Sequence, residues 1–400
     1  MDYKVESLKL HKKLGGKIEM RSRVSINSTD DLSIVYSPGV SEPCLEIERD
    51  PNLSYVYTRR HNTVAVITDG SAVLGLGNIG PLASMPVMEG KAALFKLLAD
   101  VDTIPLCLKS QDTDEIVNTI YNLSDSFGGI NLEDIAAPRC FEIEKQLKER
   151  CDIPIFHDDQ HGTAIVVLAA LINALKVVNK NPESVKVVIN GIGAAGTAIA
   201  EFLIEFGIKD LILCDKHGIL SSDDDTLSPS HQKMAKKTNQ NNIKGNLSKA
   251  MENADVFIGV SVPNCVTEAD IKNMQKDAIV LPLANPKPEI DYHRAKHAGA
   301  KVVGTGLSNF PNQINNLLAF PGIFRGTLDA RASEINREMM IAASEAIANS
   351  IPEAKITEAY IIPNPLDRSV HARVASAVKQ KAIETGVSKN GSIKAAVDSE

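Results

Sequence analysis

The chain has 400 residues, enough for about two to three domains with a sizeable core. A net charge of -7 without a long basic block excludes nucleic acid or an anionic membrane surface as the expected main partner and leaves a small molecule. Six cysteines (Cys44, Cys107, Cys140, Cys151, Cys214, Cys265) stand scattered with no C-x-x-C pair, which fits reduced thiols in a cytoplasmic protein better than a disulfide framework.

In chain order, the amino terminus mixes charges and lacks the apolar segment of a signal peptide. Apolar runs of strand length follow at Thr63 to Thr68 and Ile104 to Leu108. Between them lie the string Gly75-Leu76-Gly77-Asn78-Ile79-Gly80 and the segment Glu89-Gly90-Lys91-Ala92, read as the start of a helix AALFKLLAD. The string precedes no strand that ends in an acid, so it reads as a loop approaching a ligand or as glycines that let two backbones pack closely. Lys91 taken alone is a solvated charge or a catalytic amine.

Two adjacent acid pairs come next, Glu133-Asp134 and Asp158-Asp159. Like charges side by side repel unless a cation or a proton compensates them, and all-oxygen ligands favour Mg²⁺ or Mn²⁺ over zinc; the alternative is solvated turn acids. His157 and His161 flank the second pair, but Pro154 and Gly162 argue against a continuous zinc-binding helix, so they are expected beside the ligands or facing solvent. The run Ala164 to Val178 reads as a buried helix, its apolar stretch Ala164 to Ile172 being too short to span a bilayer.

Five more strand-like runs follow, Val185 to Asn190, Leu211 to Cys214, Val256 to Val260, Ile279 to Leu283 and Lys301 to Val303, alternating with helical patterns as in a mostly parallel, doubly wound α/β sheet. Gly191-Ile192-Gly193-Ala194-Ala195-Gly196 directly follows the first of them and opens an Ala-rich helix. This is the dinucleotide-binding context: a tight turn, backbone approach to the pyrophosphate and close helix-strand packing. Asp215, at the end of the next strand, would accept from the ribose 2′-hydroxyl and repel a 2′-phosphate, tilting the choice to NAD, although Lys216 beside it tolerates NADP. Ser221 to Asn246 reads as a polar surface excursion, residues from Thr327 to Gly386 as helices, and residues 387-400 as a frayed tail. The expected domains are 1-160, an N-terminal substrate and metal domain, and 161-386, a Rossmann-like NAD(P)-binding domain with C-terminal helices.

The segments Tyr36 to Cys44, Ile67 to Gly80, Met85 to Lys96, Ile130 to Glu144, Pro154 to Ala164, Leu283 to Pro286 and Asn315 to Gly326 together resemble the malic enzymes, in particular the short bacterial type, over most of the chain. The resemblance implies oxidative decarboxylation of (S)-malate to pyruvate and CO₂ with NAD(P)⁺ and Mg²⁺ or Mn²⁺. A malolactic lyase that retains its cofactor and yields lactate is the related alternative. Matching positions imply Glu133, Asp134 and Asp159 as metal ligands, Lys91 as general base with Asp158 beside it, and Tyr36 as general acid. Asn285, Asn315 and Asn316 would serve malate or the nicotinamide end. Acting as a base would require the pKa of Lys91 to be lowered. The position of the long-form substrate arginine is Ala72 here, and Arg139 is a candidate replacement. A homodimer is implied by the family and by the commonness of twofold symmetry.

Overall fold

The computed structural model describes residues 2–73 and 75–389. Four strands, β1 (Thr63–Thr68), β2 (Asp102–Cys107), β3 (Gly129–Leu132) and β4 (Ile155–His157), form an all-parallel sheet in the order β2-β1-β3-β4. Six more, β5 (Lys186–Asn190), β6 (Asp210–Asp215), β7 (Gly218–Ile219), β8 (Val256–Gly259), β9 (Ile279–Pro282) and β10 (Val302–Val303), form a second sheet in the order β10-β9-β8-β5-β6-β7, parallel except at the β6–β7 edge. Both sheets are covered on two faces, so the central strands are largely apolar and buried. In β1, Val64 and Val66 enter one apolar cluster, while Ala65 and Ile67 enter another on the opposite face.

The helix Thr163–Val178 lies between the sheets, and Ile165 to Leu171 are all buried. A π-helical turn, Asp158–Gly162, precedes it, so the continuous run Asp158–Val178 reaches 21 residues and is long and apolar enough to cross a membrane, longer than the expected stretch. It is 72% buried within the protein, as befits a core helix. Each fully buried Leu or Ile on it contributes about 1.5–3 kcal/mol.

Three C-terminal helices, Phe320–Asp329, Arg337–Ala348 and Arg368–Glu384, close the core. They reach across the expected division: Phe320 meets Phe95 in a tilted contact at 4.7 Å between centroids, and Phe324 meets Phe95 and Phe156 edge-on at 5.4 and 5.9 Å.

Several expectations need correction. Lys91 stands deep inside a helix that begins at Gly80, because Pro81 sits harmlessly in the first turn and Pro86 is accommodated within it. The strands β3, β4 and β7 are not among the expected runs, because polar residues or glycine interrupt their apolar stretches. The segment Ser221 to Asn246 carries a helix, Pro229–Lys237, whose Met234 and Ala235 are buried, so it is part of the core's edge rather than a bare excursion. Of the tail expected to fray over 387-400, Val387 and Lys389 hydrogen-bond to Ala382 and Arg331, and residues 390–400 lie outside the described residues.

Candidate active site

A cavity of about 650 Å³ opens between the two sheets. Ser71, Ala72, Val73, Gly75 and Gly77 line one side and the turn Gly193 to Gly196 another, with Asp134, Asp159, Asn285, Asn315 and Asn316 around the floor. A smaller cavity of about 220 Å³ beside Tyr55, Arg60 and Arg331 contains none of the predicted site residues.

The acid cluster comes from two adjacent strand ends, where a parallel sheet presents its ligand-binding edge. Glu133 and Asp134 follow β3, and Asp158 and Asp159 follow β4. One oxygen each from Glu133, Asp134 and Asp159 lies within 4.8 Å of the others, a spacing that suits a single cation. Two of these ligands are held by their surroundings: Asn131 donates to Glu133 Oε2 at 2.8 Å, and the backbone N–H of Asp134 donates to Asp159 Oδ2 at 2.8 Å. Asp134 takes a left-handed φ of 54°, which turns its peptide toward Asp159.

Lys91 is 8% exposed and points into the same cluster. Its Nζ donates to Asp158 Oδ2 at 2.5 Å, pairs with Glu133 Oε1 at 2.8 Å and lies 4.0 Å from the centre of the Phe320 ring. Asn316 Nδ2 donates to the same Asp158 oxygen at 2.5 Å. Burial disfavours the ammonium, but Asp158 and Glu133 outweigh it and hold Lys91 above the ordinary lysine range. The lowered pKa expected of a base is therefore absent from the chain by itself. Burial pushes Asp158 up to about 7 against the pull of Lys91, and pushes Asp159 up to about 6 with Asp158 adding to it. Burial also raises Glu133. Three acids that resist ionisation beside one another form a set that a divalent cation would relieve, and the donor chemistry fits Mg²⁺ or Mn²⁺.

The glycine turn has three distinct geometries. Gly191 has φ 104°, and a Cβ there would lie 2.5 Å from the carbonyl oxygen of Val260. A Cβ on Gly193 would meet nothing within 4 Å, which leaves the backbone open to a ligand at the start of the helix Ala194–Glu205. On Gly196 a Cβ would lie 1.8 Å from the carbonyl oxygen of Gly191, so helix and strand close directly on each other. Ala194 and Ala195 face the cavity, whereas Ile192 is buried beneath it. Asp215 ends β6 away from the cavity lining, and its carboxylate accepts from the N–H of His217 at 2.7 Å. Across the cavity, the 70s loop approaches the Asn285 loop: a Cβ on Gly75 would come within 3.3 Å of Pro286.

Residues 15–148 match the family model for the malic enzyme N-terminal domain, and residues 160–383 match that for the malic enzyme NAD binding domain. The chain belongs to the malic enzyme family. It is 53% identical over 390 residues to a bifunctional malic/malolactic enzyme of Bacillus subtilis, covering 97% of this chain and 95% of that protein. It is likewise 53% identical to an NAD-dependent malic enzyme of Geobacillus stearothermophilus over 95% of this chain and 79% of the relative. Among solved structures, an NAD-dependent malic enzyme from Thermotoga maritima superposes with a TM-score of 0.91 at 49% identity, over 93% of this chain and 98% of that one. A malic enzyme from Pyrococcus horikoshii gives 0.92 at 48% identity over 96% and 92%. The two-domain α/β architecture and the NAD(P)-binding half are thus those of the family.

Two predicted residues stand apart from the cluster. Tyr36 follows the short helix Thr29–Val35, is 69% exposed and does not line the cavity. Arg139 is committed elsewhere, donating to the buried Asp69 at 2.8 Å and to Ser71 at 3.1 Å, and it too stays out of the cavity lining. Among the described residues no Lys or Arg lines the cavity. His157 and His161 are buried rather than solvent-facing. Asn131, Glu144 and Phe320 were missed. Asn131 was within reach of the sequence, since it stands two residues before Glu133 at the end of a strand, where alternate residues share a face. Glu144 and Phe320 come to the site only through tertiary packing.

Proposed function

We propose that this malic enzyme oxidises (S)-malate at C2, passing hydride to NAD(P)⁺, and releases the distal carboxylate as CO₂ to leave pyruvate. The observation that carries this reading is the buried Lys91 held against Asp158 and Glu133, next to Asp134, Asp159 and Asn316, which line a cavity shared with the dinucleotide turn. Glu133, Asp134 and Asp159 would hold Mg²⁺ or Mn²⁺, which when bound supplies positive charge beside the C2 oxygen and the enolate. Lys91 takes the C2 hydroxyl proton as C2–H leaves as hydride; the C3–C4 bond then breaks, and its electron pair stays on the enolate. Glu133 belongs both to the ion pair of Lys91 and to the metal-ligand set. Withdrawing it from the lysine leaves Asp158 alone against burial, which moves the amine toward a base. Asp158, anchored by Asn316, keeps the amine aimed. Asn285, Asn315 and Asn316 offer neutral donors to carboxylate oxygens in a cavity without a lining cation.

Tyr36 would return a proton to C3. It lies in an N-terminal arm whose helices Tyr3–Leu14, Thr29–Val35 and Ser41–Arg49 bury no residue, and Tyr3, Leu8, Met20 and Ile34 are each more than 70% exposed. Exposed apolar surface on this scale supports a homodimer in which a second copy covers the arms and brings the phenol against a cavity. NAD is the preferred cofactor in this reading, from Asp215. The cytoplasm suits six free cysteines. The division into residues 1-160 and 161-386 follows the change of sheet.

The test is absorbance at 340 nm with (S)-malate and Mn²⁺, run with NAD⁺ and NADP⁺ separately, with EDTA controls and both pyruvate and lactate measured. Metal-dependent NADH with matching pyruvate supports the reading. Lactate without net NADH makes the chain a malolactic enzyme, and no product overturns both.

A further inference from the structure

Asp158 and Asp159 are consecutive, yet one faces Lys91 and Asn316 while the other faces Glu133 and Asp134. The turn that separates them is a single π turn, Asp158–Gly162, in which the N–H of Thr163 bonds to the carbonyl of Asp158. No side chain caps its start. Such turns are rare and need support from outside.

The support comes from Glu144, on the helix Arg139–Arg150. Its side chain is 7% exposed and gathers three donors: His161 at 2.7 Å, Lys148 at 2.8 Å and Gln160 at 3.3 Å. Lys148 comes from its own helix, but His161 and Gln160 are two of the five residues of the turn. Burial pushes the Glu144 carboxyl up, but His161 and Lys148 outweigh it and hold it well below the usual carboxylate range, so it accepts from all three. A buried carboxylate with two bonds to the turn fixes the turn's rotation more firmly than neutral contacts would.

We propose that Glu144 is a positioning residue for the metal-ligand turn: through His161 and Gln160 it sets where Asp159 stands, and so how tightly the acid set holds a divalent cation. The inference rests on the metal reading above. It is tested by counting free Mn²⁺ by electron paramagnetic resonance in titrations of the purified full chain, which needs no turnover. Glu144→Gln and His161→Gln each raise the Mn²⁺ dissociation constant by about 10–100-fold, the range found when outer partners of metal ligands are removed. The double variant is no worse than the weaker single one, because both remove the same contact. Lys148→Met, which touches Glu144 but not the turn, stays within about threefold of wild type.

Saturating Mn²⁺ restores much of kcat in Glu144→Gln, a split that general loss of stability does not produce. Wild-type Mn²⁺ affinity in a Glu144→Gln variant that merely melts earlier overturns the inference, as do additive effects in the double variant. Should Glu144→Gln fail to fold, His161→Gln reads the same contact from the other side. A wild-type chain that binds no Mn²⁺ refutes the metal reading itself, and this inference with it.

Discussion

Gly162 closes the metal-ligand turn, and replacing it with alanine tests how finely Asp158 must be placed. A Cβ at this position would lie 1.9 Å from Asp158 Oδ1 and 3.2 Å from Asn316 Cβ. Ordinary contact begins at about 3.4 Å, so the carboxylate must retreat by roughly 1.5 Å. Asp158 Oδ1 is buried without a hydrogen-bond partner, while Oδ2 is pinned by Lys91 and Asn316 at 2.5 Å each. A retreat of that size stretches both bonds to about 4 Å, past the limit at which a hydrogen bond counts. Lys91 then loses its orienting partner, and a misplacement of about 1 Å at a reacting group costs on the order of a hundredfold in rate. Gly162→Ala is therefore expected to lower kcat for malate oxidation by about a hundredfold or more. The far-ultraviolet spectrum should stay native, because the helix Thr163–Val178 itself gains a better helix former at its entrance. The assay is initial NADH formation at saturating malate, Mn²⁺ and NAD⁺, alongside circular dichroism. Near wild-type kcat in a folded variant would refute the claim that Asp158 is held by this packing.

Gly196→Ala drives a methyl into the carbonyl of Gly191, so the KM for NAD⁺ should rise at least about tenfold while malate affinity moves little; equal effects on both would speak against a pyrophosphate role. Asp215→Ala should shift the ratio of NADP⁺ to NAD⁺ efficiency toward NADP⁺ by about tenfold or more, and an unchanged ratio removes the ribose argument. His157 is buried with neither ring nitrogen bonded, and burial lowers its pKa to about 4. A folded value below the unfolded 6.5 means that its contribution is fully present above pH 6.5 and is lost as pH falls toward 4, by about 3 kcal/mol in all. His157→Gln should flatten that part of the dependence of the urea midpoint on pH, and an identical slope in the variant would place the acid lability elsewhere.

The sequence was most informative where a physical demand is local. The dinucleotide turn could be read because each glycine answers a steric requirement set within six residues, and the long strands could be read because burial on both faces makes them apolar without interruption. The acid pairs could be read as a charge problem, although not how it is solved: the route by which Lys91 meets Asp158 and Glu133 spans 67 and 42 residues of sequence. Lys91, expected at the start of its helix, lies well inside one that begins at Gly80, because Pro81 lies in the first turn and Pro86 is tolerated. Its resting pKa is set by two acids that outweigh burial, a balance that depends on distances. The strands β3, β4 and β7 are not among the expected runs: Gly129 and Asn131 interrupt β3, His157 ends β4, and β7 is only Gly218–Ile219. Tyr36 was identified by resemblance, and its exposure in the chain could not be inferred from its turn.

The aromatic contact of Phe320 and Phe324 with Phe95 and Phe156 limits how the chain can be taken apart. The last helices in sequence complete the core beneath the first sheet, so a fragment ending near residue 160 would leave Phe95, Phe156 and Met88 bare, and a fragment beginning there would carry an unmatched apolar face. Two halves with separate sheets are therefore not interchangeable cassettes. Any split-gene, circularly permuted or recombined version must keep the C-terminal helices with the N-terminal sheet, and co-expression of the two fragments should recover soluble protein where either fragment alone aggregates.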